Sequence, residues 1–173
     1  YFSGLGHGII LMLIQIGGLG LITLTAFFAL LGRRGLGVRE TLALRGMISF
    51  ENIGQIGRTL RSMVGVTFGL EAIGALMLFL ATRPDFRTAG EAVANSVFHA
   101  ISAFCNAGFS TFPDSLERFA SSHGVTVPVM VGLVLGGLGF VVYQDLFRRL
   151  SARGSREHRH VLSLHTKIVL LAT

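Results

Sequence analysis

Residues 89–105 read "AGEAVANSVFHAISAFC" and run directly into "NAGFST" at 106–111. The apolar positions Val93, Val97, Ala100, Ile101 and Phe104 recur at helical spacing. Glu91 falls in the first turn, where the helix dipole favours an anion. Seventeen residues at about 1.5 Å each reach roughly 25 Å, short of a bilayer crossing. The stretch that follows has no helical pattern, and it adjoins the only cysteine of the chain, Cys105. What such a short apolar helix does depends on where its two ends lie.

The chain has 173 residues, 51% hydrophobic and 14% charged. Soluble domains average about 25% charged residues, so the composition points to the membrane class. Three stretches approach the roughly 20 apolar residues that cross a bilayer: Gly8 to Leu31, Met63 to Ala81 and Val127 to Phe147. A fourth begins near Lys167. The chain opens on Tyr1 rather than Met and closes in the apolar run "KIVLLAT", and we read it as a piece of a longer membrane protein. A single cysteine excludes an internal disulfide, and no Cys/His cluster has metal-ligand spacing.

The basic residues set the orientation. Arg33, Arg34, Arg39, Arg45, Arg58 and Arg61 lie between spans one and two. Arg148, Arg149, Arg153, Arg156, Arg159 and Lys167 follow span three. These are twelve of the fifteen Lys and Arg residues. The positive-inside rule then puts loops 32–62 and 148–166 in the cytoplasm and residues 82–126 outside. This asymmetry explains the net charge of +6 as topology and contact with anionic lipid, without nucleic acid. A docking surface for a cytosolic partner is the alternative use of the basic loops.

The helix at 89–105 therefore starts and ends on the outer side. It is interfacial or re-entrant, and the lack of Lys or Arg between Arg87 and Arg118 favours re-entrant. A re-entrant chain must return, and "NAGFSTFPDS" has to do so without helical pairing. Such backbone survives at membrane depth only inside protein or along a watery cavity. There its carbonyl oxygens can replace the hydration shell of a cation, helped by the negative end of the helix. Gly108 suits a strand that needs unusual backbone angles.

The chain also repeats itself. "IGGLG" at Ile16–Gly20 matches "LGGLG" at Leu135–Gly139, with an offset of 119 residues. Clustered glycines allow close helix approach, and both motifs lead into basic segments. A counterpart of Gly108 at the same offset would precede Tyr1. One loop cannot encircle an ion, so a filter needs others like it.

The segments "LIQIGGLGLITL" (13–24), "FHAISAFCNAGFS" (98–110), "GGLGF" (136–140) and "SLHTKIVLLAT" (163–173) together resemble the Trk/Ktr/HKT potassium transporter superfamily, nearest the bacterial Ktr-type membrane subunit. The resemblance covers nearly the whole chain. It implies an all-α integral membrane protein of repeated helix–pore-loop–helix units, incomplete here. Residues 8–31 become the second helix of repeat one. Repeat two takes 63–81 as first helix, 89–105 as pore helix, 106–112 as filter loop and 127–147 as second helix. Residues 167–173 start repeat three. The resemblance implies K⁺ bound through the backbone of Asn106, Ala107, Gly108 and Phe109, with Na⁺ as an open second ion. It further implies a homodimer in the bacterial plasma membrane, with a cytosolic nucleotide-binding regulatory subunit of the RCK/KTN type. No cofactor other than the transported ion is expected.

Three functions compete on the residues alone: ion transport, a non-transporting scaffold or sensor, and a membrane enzyme. His99 and Cys105 lie six residues apart, off the spacing that joins side chains on a helix, so no catalytic pair is expected. Glu71 sits mid-span, and its expected partner is Ser96 or His99 of the short helix, with an ion-path role as the alternative. Gln15 is expected to hydrogen-bond across helices, and Asp145 to pair with Arg148 or Arg149. His158, His160 and His165 sit in the basic loop without carboxylate or cysteine company.

Overall fold

A computed structural model describes residues 3–18, 53–139, 142–143, 145–146 and 164–172. Among these residues the secondary structure is entirely helical. α1 spans Gly4–Gly18, α2 Ile53–Thr82, α3 Ala89–Phe104, α4 His123–Gly137 and α5 Leu164–Ala172. Two single 3₁₀ turns, Arg83–Asp85 and Glu117–Phe119, flank the α3 region. The remainder of the first expected span (19–31), the loop 32–52, Gly20, Arg148, Arg149, His158 and His160 lie outside the described residues.

α2 is the long element, 30 residues or roughly 45 Å. The helical stretch Arg61–Asp85, from within α2 through the 3₁₀ turn that follows it, is long and apolar enough to cross a membrane, the only such stretch among the described residues. The helix begins ten residues before the expected span at Met63, so residues 53–62 of the expected cytoplasmic loop are helical. Hydropathy marks where apolar residues begin; it does not mark where a helix must unwind.

The short helix α3 is built as its sequence dictates. Thr88 is extended and accepts the Glu91 N–H on its Oγ1 at 3.2 Å, the first half of a capping box. At the other end Asn106 takes the left-handed conformation, φ 53°. Its N–H bonds the Ala103 carbonyl at 3.0 Å, and the Ala107 N–H bonds the Ser102 carbonyl at 2.8 Å. This is a Schellman stop, with Asn in the place usually held by Gly. Cys105 is the cap and not the last helical residue.

α3 packs between α2 and α4 and touches α1. Its core is small: Leu78, Ala100, Phe119 and Val125, flanked by Ala75, Ala81, Phe112, Leu116 and Val129. Much of the apolar surface of α1, α2 and α4 faces outward, including Ile9, Met12, Ile73, Leu76, Leu80, Met130 and Val134. A water-soluble domain of this size would bury such a surface; a bilayer or further protein covers it at no cost.

The expected span 127–147 requires correction. It is not one continuous helix. α4 starts four residues earlier, at His123, and ends at Gly137. Gly139 then adopts φ +74°, which a helix cannot contain, and helical backbone returns at 142–143 and 145–146. The Tyr143 hydroxyl donates to the Leu135 carbonyl at 2.6 Å, satisfying an acceptor of the last α4 turn. The apolar run hides the break, because hydropathy is blind to a glycine's dihedral angles.

Candidate ion-path site

Three polar side chains line one face of α3: Asn95, His99 and Ser102, at i, i+4 and i+7. They meet the returning strand in antiparallel order. Asn95 Oδ1 accepts from Thr111 Oγ1. His99 Nε2 lies 3.0 Å from Ser110 Oγ. Ser102 Oγ donates to the Phe109 carbonyl at 2.7 Å and accepts the Phe109 N–H at 2.9 Å. His99 and Ser102 are buried, at 6% and 3% exposure. Residues 109–111 are thus zipped to the helix, side chain by side chain, where a β-partner is missing.

The strand before this zipper has the opposite character. Asn106 and Gly108 both have positive φ, at 53° and 70°, and Ala107 between them does not. Alternating handedness turns successive carbonyls toward one side, whereas uniform extended backbone would point them to opposite sides. Among the described residues, nothing donates a hydrogen bond to the carbonyls of Asn106, Ala107 or Gly108. Phe109 differs, since its carbonyl faces back to Ser102. The four residues named from sequence are therefore contiguous but not equivalent.

Two glycines hold the foot of α3, Gly18 from α1 and Gly136 from α4. A Cβ on Gly18 would lie 2.1 Å from Cys105 Sγ, and one on Gly136 would lie 1.6 Å from the Phe104 carbonyl oxygen. Only glycine permits either approach. The Asn106 amide reaches across to the Leu133 carbonyl of α4 at 3.3 Å.

Beside this foot lies Glu71, 4% exposed. Its expected partner was Ser96 or His99, and that expectation is corrected. Gln15 Nε2 of α1 donates to both Glu71 oxygens, at 3.0 and 3.1 Å, and Cys105 Sγ is 3.9 Å from Oε1. Ser96 Oγ is buried with no hydrogen-bond partner among the described residues. The cross-helix bond expected of Gln15 is present. Asp145 accepts from Thr166 Oγ1 at 2.5 Å, tying the segment after the Gly139 break to α5.

Above the strand, Phe112 stacks on His99 with centroids 4.9 Å apart. The Arg118 guanidinium lies over the Phe112 ring, 4.3 Å from its centroid. Arg118 also bridges Asp114 at 3.0 Å, and its hydrogen bonds hold the Asp114 carboxyl below its usual range. His99 and Ser110 bond each other behind the strand, and the array around them is backbone and aromatic rings. It offers oriented carbonyls, a rigid backing and an aromatic lid.

Sequence reasoning located the strand and Gly108 but missed Asn95, Ser102, Ser110 and Thr111. The signal was available: polar residues at i, i+4 and i+7 of an otherwise apolar helix, followed by Ser-Thr after the turn.

A profile of the TrkH family, described as cation transport protein, matches residues 7–173. Ktr system potassium uptake protein B of Bacillus subtilis (strain 168) is 31% identical over 172 residues, 99% of this chain and 37% of the relative. The protein of the same description from Vibrio alginolyticus is 32% identical over 173 residues, all of this chain and 37% of the relative. Potassium/sodium uptake protein NtpJ of Enterococcus hirae is 27% identical over 173 residues, again 37% of that protein. The chain thus spans little more than a third of the length of the relatives it matches. It belongs to the TrkH family of cation transport proteins, a family of membrane transporters and not of enzymes.

Proposed function

We propose that this chain forms one wall of a K⁺ uptake path, with the backbone around Gly108 as its ion-binding surface. The observation that carries the reading is the alternating handedness at 106–108, with three consecutive carbonyls that take no internal hydrogen bond among the described residues. Carbonyls left free at membrane depth need a partner, and a dehydrated monovalent cation is one. The negative end of α3 adds to the attraction at the same place. The names of the relatives support potassium as cargo, and that of NtpJ keeps sodium in view as a second ion.

In this proposal Asn106, Ala107 and Gly108 present carbonyls to the ion, while the Phe109 carbonyl anchors the strand to Ser102. Residues 63–81, 89–105 and 106–112, with α4 and the segment after its break at Gly139, act as one helix–pore-loop–helix unit, preceded by 8–31 and followed by 167–173 as parts of its neighbours. The whole protein would place further loops around the same axis, in a multi-pass bacterial plasma-membrane protein. A homodimer and a cytosolic nucleotide-binding subunit are the partners we propose for it.

The test is Gly108→Ala in the full-length protein. An added Cβ would meet nothing within 4 Å, so the substitution acts through the φ of 70° alone. Left-handed backbone costs a residue with a Cβ roughly 1–2 kcal/mol, enough to shift the carbonyls. K⁺ uptake and K⁺/Na⁺ selectivity should both fall in proteoliposomes. Normal values in a well-assembled variant would refute the assignment and favour a non-transporting scaffold.

A further inference from the structure

His99 is not used by the ion-path reading, yet it is the most constrained polar side chain behind the strand. Its Nδ1 lies 2.8 Å from the Asn95 carbonyl, one turn back on α3. A carbonyl only accepts, so Nδ1 carries the proton. In the neutral ring Nε2 is then a bare acceptor, and it faces Ser110 Oγ at 3.0 Å. The Ser110 hydroxyl must donate to it. That orientation leaves the Ser110 lone pairs free, and one of them accepts the Phe112 N–H at 3.1 Å. The chain of donors is therefore directed: Phe112 N–H to Ser110, Ser110 O–H to His99, His99 N–H to Asn95.

The ring is also fixed in plane. Phe112 stacks on it at an interplanar angle of 17°, and Phe98 meets it edge-on with centroids 5.8 Å apart. A buried ring held by two hydrogen bonds and two aromatic neighbours has one orientation. Ser110 stands two residues after Gly108 and one after Phe109, so its position sets how far the strand stands off α3.

We propose that His99 is a positioning residue for ion selectivity: its tautomer, imposed by the Asn95 carbonyl, fixes the Ser110 hydroxyl and through it the spacing of the 106–108 carbonyls from the ion axis. This rests on the ion-path reading of Gly108. His99 touches no ion. It acts as a rigid spacer of defined hydrogen-bond polarity. A carbonyl ring discriminates between K⁺ and Na⁺ through its geometry and the number of ligands it offers, and either is lost if one wall floats.

The experiment uses the full-length protein in proteoliposomes, measuring K⁺ uptake and K⁺/Na⁺ selectivity for His99→Phe, His99→Gln and Ser110→Ala. Phe keeps the stack on Phe112 and removes the acceptor; Gln places an amide oxygen near the position of Nε2. Loss of one buried hydrogen bond corresponds to about tenfold in an equilibrium. His99→Phe and Ser110→Ala should each lower K⁺/Na⁺ selectivity by about fivefold to tenfold. The double variant should be no worse than either single one, since both break the same bond. His99→Gln should recover most of the selectivity that His99→Phe loses.

Unchanged selectivity in His99→Phe, or multiplying losses in the double variant, would overturn the proposal. If His99→Phe fails to assemble, Ser110→Ala against Ser110→Thr decides, because Thr keeps the hydroxyl. Gly108→Ala in the same assay separates the two levels. A Gly108 effect without a His99 or Ser110 effect removes this inference alone. No Gly108 effect removes the ion-path reading and this inference with it.

Discussion

Ser102 and Phe109 exchange two hydrogen bonds, the Ser102 hydroxyl donating to the Phe109 carbonyl at 2.7 Å and accepting the Phe109 N–H at 2.9 Å. One side chain thus does for the returning strand what a neighbouring β-strand does in a sheet. Ser102→Ala would leave both backbone groups without that partner. An unsatisfied buried group costs about 1–3 kcal/mol, so we expect a clear drop in melting temperature together with lost K⁺/Na⁺ selectivity. Ser102→Thr, which keeps the hydroxyl, should lose less. Equal melting and selectivity for Ala and wild type would show that the strand is held from elsewhere.

The glycine motifs give a sharper contrast, because adjacent residues differ in their surroundings. A Cβ on Gly136 would lie 1.6 Å from the Phe104 carbonyl oxygen, whereas one on Gly137 meets nothing within 4 Å. The obstacle at Gly136 is backbone and cannot rotate away. Gly136→Ala should cost at least the 1–3 kcal/mol typical of overpacking, about 3 kcal/mol or more, and displace the foot of α3. Gly137→Ala should be tolerated, with a gain of up to about 1 kcal/mol from its better helix propensity. Thermal melts of the two purified variants check the pair; similar values would mean that α4 does not approach α3 this closely.

How much of this was legible beforehand varies with the kind of physics involved. The extent of α3 was legible from its period and from Glu91 in the first turn, and the capping residues Thr88 and Asn106 add local signals that the period alone did not use. The contact of Gln15 with another helix was legible too, because a polar side chain in an apolar helix needs a partner. Its identity was not. From α2 alone, Ser96, His99 and Gln15 are equal candidates for Glu71, and only the placement of α1 chooses among them. The break at Gly139 escaped for a different reason: a left-handed residue leaves no trace in hydropathy. The register of Asn95, His99 and Ser102 against Thr111, Ser110 and Phe109 needs the turn geometry at 106–108, which no periodicity contains.

The cap formed by Phe112, Asp114 and Arg118 should respond to acid in a definite direction. Hydrogen bonds from Arg118 hold the Asp114 carboxyl below its usual range. An acid with a depressed folded pKa adds stability above its unfolded value, about 3.9, and loses it as pH falls through the folded one. The pair is exposed, so the effect is small and screened by salt. Asp114→Asn should therefore melt slightly below wild type near neutral pH, and the two should converge in acid once the pH has fallen through the depressed folded value. Divergence in acid would give the pairing the wrong sign. Arg118→Lys should also weaken the cap, because a planar guanidinium above Phe112 contributes roughly 0.5–1 kcal/mol that an ammonium matches poorly.

The link between Gln15 and Glu71 makes the last prediction, and it concerns how α1 is held to the rest. Gln15 Nε2 donates to both oxygens of a carboxyl that is 4% exposed. Gln15→Leu keeps the bulk and removes both bonds, leaving Glu71 buried beside apolar neighbours. A hydrogen bond to a charged or strongly polar group contributes about 1.5–3 kcal/mol, so the single variant should lose stability on that scale. Glu71→Leu alone strands the Gln15 amide and should lose less. The double variant Gln15→Leu, Glu71→Leu should recover much of the loss, because a buried polar pair replaced on both sides by apolar groups is often near neutral. A double-mutant cycle by thermal melting in detergent reads the coupling directly. Strict additivity would mean that the two side chains do not depend on each other, and that α1 is held by other contacts, such as the approach of Gly18 to Cys105 and the edge-on meeting of His7 with Phe98.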